Sequence, residues 1–258
     1  MARVFITGSS DGLGLMAARL LIEEGHSVIA HARGGQRARE TRTALPGAKH
    51  VVTGDLSSIT QTRGVADQVN ALGDVDAVIY NAAVGPDERR RIETADGLSH
   101  VFEINVLAPY ILTALIARPR RVVYLTSGLH RGGDPALDDP QWEHHAWRGS
   151  QAYSDSKLYD LALTMAVARR WPEVLSNAVG PGWVPTKMGG AGAPDDLTQG
   201  YLTQAWLAVS DEPAALVSGC CFFHKQQQQQ FHPAARSPEV QDALTGYCAR
   251  LSGIPLPA

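Results

Sequence analysis

Cysteine is scarce in this chain: adjacent Cys220 and Cys221 and a solitary Cys248 cannot build the disulfide framework of a small secreted domain. They read as small buried hydrophobes in a reducing compartment. Charge is also sparse. Asp, Glu, Lys and Arg make up 19% of residues, and 23 basic against 26 acidic side chains leave a formal charge of −3. A nucleic-acid partner needs a concentrated positive field, which this balance lacks. No apolar run approaches the roughly 18 residues of a membrane span. No basic-then-apolar leader pattern comes before Val4-Phe5-Ile6, which already reads as a strand. The expected setting is cytoplasmic, with neither membrane nor nucleic acid as partner.

What the chain does contain is a regular alternation. Its 258 residues, 44% of them apolar, suffice for one large domain. β-Branched runs at 3–7, 27–31, 50–53, 75–80, 121–126, 174–179 and 218–224 alternate with helical-period stretches near 12–24, 35–44, 58–71, 97–117, 151–170, 198–209 and 238–251. Parallel strands need crossovers of this length, so the pattern predicts a single-domain α/β fold of about seven parallel strands flanked by helices. Ser237-Pro238-Glu239 is a helix start, and Gly253 and Pro255 end that helix. Three segments break the rhythm. Residues 129–149 hold Gly, Pro, Asp and two tryptophans and read as a long ordered loop. Residues 187–197, rich in Gly and Ala, read as mobile, and Gln226–Gln230 as a solvated turn.

The first strand runs into Thr7-Gly8-Ser9-Ser10-Asp11-Gly12-Leu13-Gly14 and then into a helix. Glycines at 8, 12 and 14 permit a tight turn and let backbone amides approach a pyrophosphate, while the helix offers its positive N-terminus. A glycine-rich run alone is weak; strand before, helix after and its place at the chain start make it strong.

This T-G-x-x-x-G-x-G spacing resembles that of the short-chain dehydrogenase/reductase family, and the resemblance extends over essentially the whole chain. It implies a Rossmann-type doubly wound sheet and a nicotinamide dinucleotide cofactor. By that resemblance Asp55-Leu56 meets the adenine, although Asp55 is equally a helix cap. Asn81-Ala82-Ala83 resembles the family's N-N-A-G and lies near the cofactor ribose; Tyr80 replaces the first Asn, which weakens the strand-stabilising part of the motif. Asn105 marks a helix kink holding a water near the catalytic lysine. Pro181-Gly182-Trp183-Val184-Pro185-Thr186 resembles P-G-x-x-x-T, with the Val184 backbone and the Thr186 hydroxyl fixing the carboxamide.

Tyr153 and Lys157 are four apart in a helical stretch and so share one face. With seven tyrosines and four lysines, a chance Y-x-x-x-K is expected about 0.1 times. The pair also follows Thr126-Ser127 and precedes Pro181-Gly182, all at carboxyl ends of strands, where open α/β sheets bind ligands. The chemistry suits these groups. Carbonyl reduction leaves charge growing on oxygen, which must be protonated, and a phenol exchanges protons poorly at neutral pH. An ammonium ~4 Å away at an effective dielectric near 20 favours the phenolate by roughly 4 kcal/mol. Ser127 would orient the substrate oxygen. The resemblance further has Lys157 hold the nicotinamide ribose and relay a proton with Asn105.

The second strand ends in Ala32-Arg33. NAD-preferring enzymes usually place a carboxylate where Ala32 sits; here Arg33 offers a guanidinium to a 2′-phosphate, and Ser9 and Ser10 add hydroxyls. NADP is expected over NAD, although Asp11 would repel the phosphate if close. Glu143-His144-His145 has no metal-ligand spacing, so no metal is expected. Arg89-Arg90-Arg91, beside Asp87 and Glu88, reads as a solvated turn.

The reading that results is an NADP(H)-dependent oxidoreductase acting on a small-molecule ketone, aldehyde or secondary alcohol, with Tyr153 as acid/base. The alternative is a non-catalytic dinucleotide sensor, which loss of Tyr153 or Lys157 would have favoured. An epimerase expects T-G-x-x-G-x-x-G and a longer C-terminal region. The 127–153 segment and the C-terminal end look most like retinol-dehydrogenase-type and bacterial polyketide (daunorubicin-type) ketoreductase members. Residues 129–149 and 187–200 are expected to wall an apolar pocket for bulky carbonyl compounds. Family members commonly pair through the helices matching 97–117 and 151–170, so a homo-oligomer is possible.

Overall fold

All seven expected strand runs form strands in the computed structural model, which describes residues 1–258. They are β1 (Arg3–Ile6), β2 (Ser27–Ala32), β3 (His50–Thr53), β4 (Ala77–Tyr80), β5 (Arg121–Leu125), β6 (Leu175–Val179) and β7 (Cys220–Phe223). These seven pair in parallel in the order β3-β2-β1-β4-β5-β6-β7. β1 sits between β2 and β4, so the chain reverses its direction of travel across the sheet there, and a crevice opens above the strand ends. Both faces are covered, which is why residues 4–6, 28–30 and 77–80 read as unbroken apolar runs.

An eighth, antiparallel strand, β8 (Gln226–Gln227), replaces the expected solvated turn. His224 and Lys225 both adopt positive φ (48° and 61°), the geometry of a two-residue hairpin turn whose twist matches its strands.

The helices are α1 (Gly12–Glu23), α2 (Gly35–Ala44), α3 (Ile59–Ala71), α4 (His100–Phe102), α5 (Ala108–Leu115), α6 (Gly149–Arg170), α7 (Leu197–Val209) and α8 (Pro238–Ser252). On one face α1 and α7 pack over Val4, Ile6 and Val179. On the other α3, α5, α6 and α8 enclose the larger core around Phe5, Val78 and Tyr124. The helix expected at 97–117 is in fact α4 and α5 joined by a π-helical turn, Glu103–Leu107, which carries Asn105. A π turn inserts one residue into the ladder and reorients the side chains around it.

α6 is buried from Ala152 to Val167 within its own chain. α8 lies over it, with Tyr247 edge-on to Phe102, and the C-terminal tail continues the cover. Tyr110 Oη donates to Ile254 O (2.8 Å) and Trp171 Nε1 to Pro257 O (3.1 Å). α8 and the tail thus cover part of the outer side of α5 and α6.

Candidate active site

The glycine-rich turn is built so that little but backbone fits. Gly8 (φ 63°) and Gly12 (φ 54°) occupy the left-handed region. A Cβ on Gly14 would lie 2.4 Å from Asn81 Nδ2 and 2.5 Å from Gly8 O. Asp11 caps α1, accepting from Gly12 N–H at 2.9 Å. Behind the turn lies His31, 3% exposed, which the sequence reading did not single out. Gly8 N–H donates to its Nδ1 (3.1 Å), so the ring proton sits on Nε2 and is donated to Gly54 O (2.9 Å). Burial holds its imidazole below the usual histidine range and keeps it neutral.

Two expectations change here. Ser9 is fully buried and donates to Ile6 O (3.0 Å) while accepting from His31 N–H (2.8 Å), so only Ser10 faces the cleft. Asn81 donates to Thr7 O (3.1 Å) and Gly8 O (3.2 Å), bracing the strands where Tyr80 was expected to weaken that part of the motif. Tyr80 instead enters the core against Tyr124, ring centres 4.9 Å apart.

The opposite wall is α6. Tyr153 and Lys157 share one face and line the same cleft, of about 350 Å³, as Gly8, Ser10, Gly12, Leu13 and Arg33. Lys157 Nζ stands 5.7 Å from the Tyr153 ring centre. It donates to Leu125 O (2.9 Å) and to Asp160 Oδ2 (2.8 Å), a buried ion pair that the sequence reading also missed. Burial pulls the ammonium down, but Asp160 and then Tyr153 outweigh it and leave Lys157 raised. Thr126 Oγ1 donates to Lys157 O (2.7 Å), tying β5 to the helix.

Asn105 sits in the π-helical turn, its side chain held by the protein. Its Oδ1 accepts from Val84 N–H (2.8 Å), and its Nδ2 donates to Val84 O (3.1 Å) and Ser156 Oγ (3.0 Å). Both amide hydrogens are thus engaged, and Asn105 clamps the chain after β4 onto α6. Ser127 Oγ accepts from Leu129 N–H (3.3 Å), capping a short 3-10 turn.

Of the remaining expected residues, Asp55, Leu56, Ala82, Ala83, Pro181 and Thr186 line the cleft. Asp55 does not cap α3, whose N-cap is Ser58; its Oδ1 instead closes a turn ahead of the helix, accepting from Ser57 N–H (3.0 Å) and Oγ–H (2.7 Å). Gly182 (φ 90°) turns the chain, Asp195 Oδ2 accepts from Trp183 N–H (2.6 Å), and buried Val184 accepts from Thr186 N–H (2.8 Å). Val184 lies behind the lining, held by this turn.

The two loops beside the site differ from expectation unequally. Lys187 and Met188 line the cleft, but nothing from 129–149 does. That loop borders a separate cavity of about 700 Å³ and mixed polarity with Asp155 and Tyr159. Trp142 and Trp147 pack edge-on, ring centres 5.9 Å apart. Their indoles donate to Asp155 Oδ2 (3.2 Å) and Glu88 O (2.7 Å), docking the loop onto the domain. Asp11, expected to repel a phosphate, is itself countered by Arg37 (3.2 Å) and by Lys187. Its carboxyl lies below the usual range, the Lys187 hydrogen bond being the main cause.

Comparison with known proteins converges on one family. The family model described as short chain dehydrogenase matches residues 2–124. A protein of Emericella nidulans named as an uncharacterized oxidoreductase is 41% identical over 100% of this chain and 99% of its own. The short-chain dehydrogenase chry4 of Gibberella zeae is 39% identical over 100% of both. DnrU of Streptomyces, named as a daunorubicin C-13 ketoreductase, is 30% identical over 72% of this chain and 67% of its own. A crystal structure of an uncharacterized protein from Mycobacterium paratuberculosis superposes with a TM-score of 0.86 at 26% identity, covering 100% of this chain and 96% of that one. A glycine turn at the sheet's reversal point, a Tyr-Lys pair across the same cleft and full-length relatives named as an oxidoreductase and as a short-chain dehydrogenase lead to one conclusion: this chain is an oxidoreductase of the short-chain dehydrogenase/reductase family.

Proposed function

We propose that the enzyme transfers hydride between NADP(H) and a ketone, aldehyde or secondary alcohol, with Tyr153 exchanging the proton. The observation that carries this reading is that Tyr153 and Lys157 line the same cleft as the glycine-rich turn. The residues present fit a dinucleotide. A side chain on Gly8 would collide with Ala82 Cα at 2.8 Å, so the turn is reserved for backbone, and the α1 N-terminus opens beside it. Gly8, Ser10, Gly12 and Leu13 would hold the pyrophosphate, Asp55 and Leu56 the adenine, and Pro181 and Thr186 the carboxamide side. A bound nicotinamide supplies or accepts the hydride.

The chain's own groups do the rest. Tyr153 donates its phenolic proton to the oxygen as charge develops there, and takes it back in the alcohol direction. Ser127 orients that oxygen once its hydroxyl turns toward the cleft. Lys157 stabilises the phenolate electrostatically. Val84, Ile104, Leu125 and Met188 give the cleft an apolar lining, while Leu129 and Trp183 stay 49% and 61% exposed near its strand ends. These surfaces suit a carbonyl compound with an apolar body.

Tyr153→Phe should lower kcat by about 10²–10⁴-fold while leaving fold and dinucleotide affinity intact. A variant with near-normal turnover would overturn the acid/base role, and wild-type protein that binds dinucleotide yet turns over no carbonyl or alcohol would be a sensor. The preference for NADP rests on Arg33, exposed at the cleft after β2 with no competing carboxylate at Ala32, and on the neutralisation of Asp11. Arg33→Ala should weaken NADP binding by about 10–100-fold and leave NAD nearly unchanged. Equal affinity of the wild type for both dinucleotides, by calorimetry, would reverse that assignment.

A further inference from the structure

Asp160 has no part in the chemistry described above, yet it is the closest charged neighbour of the group that tunes Tyr153. It lies three residues beyond Lys157 on α6, and the two side chains are 3% and 4% exposed. Asp160 Oδ2 accepts from Lys157 Nζ at 2.8 Å; its other oxygen, Oδ1, is buried and has no hydrogen-bond partner. Stability alone does not account for such a pair. Burying two charges is expensive, and a carboxylate oxygen left unpartnered adds to that. An apolar pair of equal volume would hold α6 at least as well. The lysine is at the cleft because the chemistry requires a cation there, and Asp160 is its counter-ion.

We propose that Asp160 is a positioning residue: its carboxylate anchors the Lys157 ammonium at the cleft wall and, by opposing its charge, sets how strongly that ammonium promotes ionisation of Tyr153. The proposal rests on the acid/base role of Tyr153 proposed above. Geometry limits what Lys157 can do. One hydrogen goes to Asp160 and one to Leu125 O, leaving a single hydrogen for a ligand or the phenol. From the phenol, one turn back along the helix, the ammonium and carboxylate act as a dipole rather than as an isolated cation. The ionisable groups around Asp160 are Lys157 on its own helix and Tyr124 from β5, with Tyr153 acting on Lys157. Tyr80 from β4 lies against Tyr124, and burial keeps both of these phenols un-ionised. Burial pushes the Asp160 carboxyl up, and the Lys157 ammonium at 2.8 Å pulls it back down.

The test is Asp160→Asn, which keeps the shape and removes the charge. Two profiles are recorded: kcat against pH for alcohol oxidation, and near-ultraviolet tyrosinate absorbance of the cofactor-free protein, with Tyr153→Phe subtracted. With the lysine's charge uncompensated, both midpoints should move down by about one pH unit. A midpoint displaced upward means that Lys157 has lost its proton without its counter-ion, which equally assigns the role to Asp160. Unchanged midpoints in a folded variant overturn the proposal. Should the Asn variant not fold, Asp160→Glu carries the test: kcat about tenfold lower at unchanged dinucleotide Kd supports it, and wild-type kcat overturns it. If Tyr153→Phe retains turnover, the acid/base reading itself falls, and the tyrosinate arm still reports whether Asp160 controls that phenol.

Discussion

The two walls of the cleft are made of different materials. On the β1–α1 side the groups that brace the glycine turn from behind are neutral and satisfied within the protein, its charged residues lying at the surface. His31 holds Gly8 and Gly54, Asn81 holds Thr7 and Gly8, and Ser9 holds Ile6. On the α6 side a buried cation and carboxylate face each other, with one carboxylate oxygen unpartnered. The first wall presents a fixed shape to a ligand; the second presents a field to a reacting atom. The binding wall should therefore be sensitive to volume and the catalytic wall to charge.

Gly14→Ala is the strongest way to break that contrast. The added Cβ would need to displace Asn81 Nδ2 at 2.4 Å and the Gly8 carbonyl at 2.5 Å, and that carbonyl belongs to the turn itself. Overpacking of this kind costs about 1–3 kcal/mol. Urea unfolding should register that loss, and dinucleotide affinity should weaken at least about tenfold because the turn is displaced. Tyr153→Phe should do the converse, removing turnover and sparing affinity. A Gly14→Ala protein with normal affinity would show that the turn yields, and the distinction between the walls would go with it.

pH separates the walls more gently. His31 is held neutral by burial, its folded value lying below the ordinary histidine range near ~6.5. Below that value the unfolded chain takes up a proton that the folded one refuses, so the stability from this site is full above ~6.5 and declines as pH falls. The decline is up to about 1.4 kcal/mol per pH unit. Urea midpoints across this range should show it for the wild type and show less of it in His31→Leu. An acid limb of equal depth in both proteins would place the effect elsewhere, His130 being another histidine that burial holds low.

How much of this was legible depended on whether a residue's partner was local in sequence. The strands could be placed because apolar β-branched runs bounded by turns mark buried parallel strands, and their ends shifted by only one or two residues. The glycines, Tyr153, Lys157 and the segment from Pro181 could be found because each motif is contiguous. β8 could not, since its turn uses His224 and Lys225 where glycine or asparagine would have signalled a positive φ. His31 lies 23 residues from Gly8 and from Gly54, and nothing in a strand buried on both faces distinguishes a bracing histidine from one that is merely buried. Asp160 was hidden for a different reason. α6 is buried on nearly every side, so no polar stripe remains against which an inward carboxylate would look out of place. The two tryptophans correctly indicated an ordered loop, but not which cavity it borders.

The smallest expected effect lies at the rim, where the 187–197 segment meets the binding wall. Lys187 reaches Asp11 on the glycine turn, and Met188 packs over Gly85, so this short stretch bridges both sides of the cleft mouth. Its contacts are weak ones. The lysine side chain is 82% exposed and the aspartate 42% exposed, and pairs so open to water contribute little. The bridge should nevertheless slow escape of a ligand lying beneath it, because opening the mouth requires the pair to part. Lys187→Ala should therefore raise the dinucleotide dissociation rate about two- to fivefold, with kcat/KM for small carbonyl compounds unchanged. High salt should erase the difference between variant and wild type, since screening already weakens the exposed pair. Stopped-flow release measured at low and high ionic strength reads both effects. A rate unchanged at low salt would mean that this segment rests on the cleft through Met188 alone.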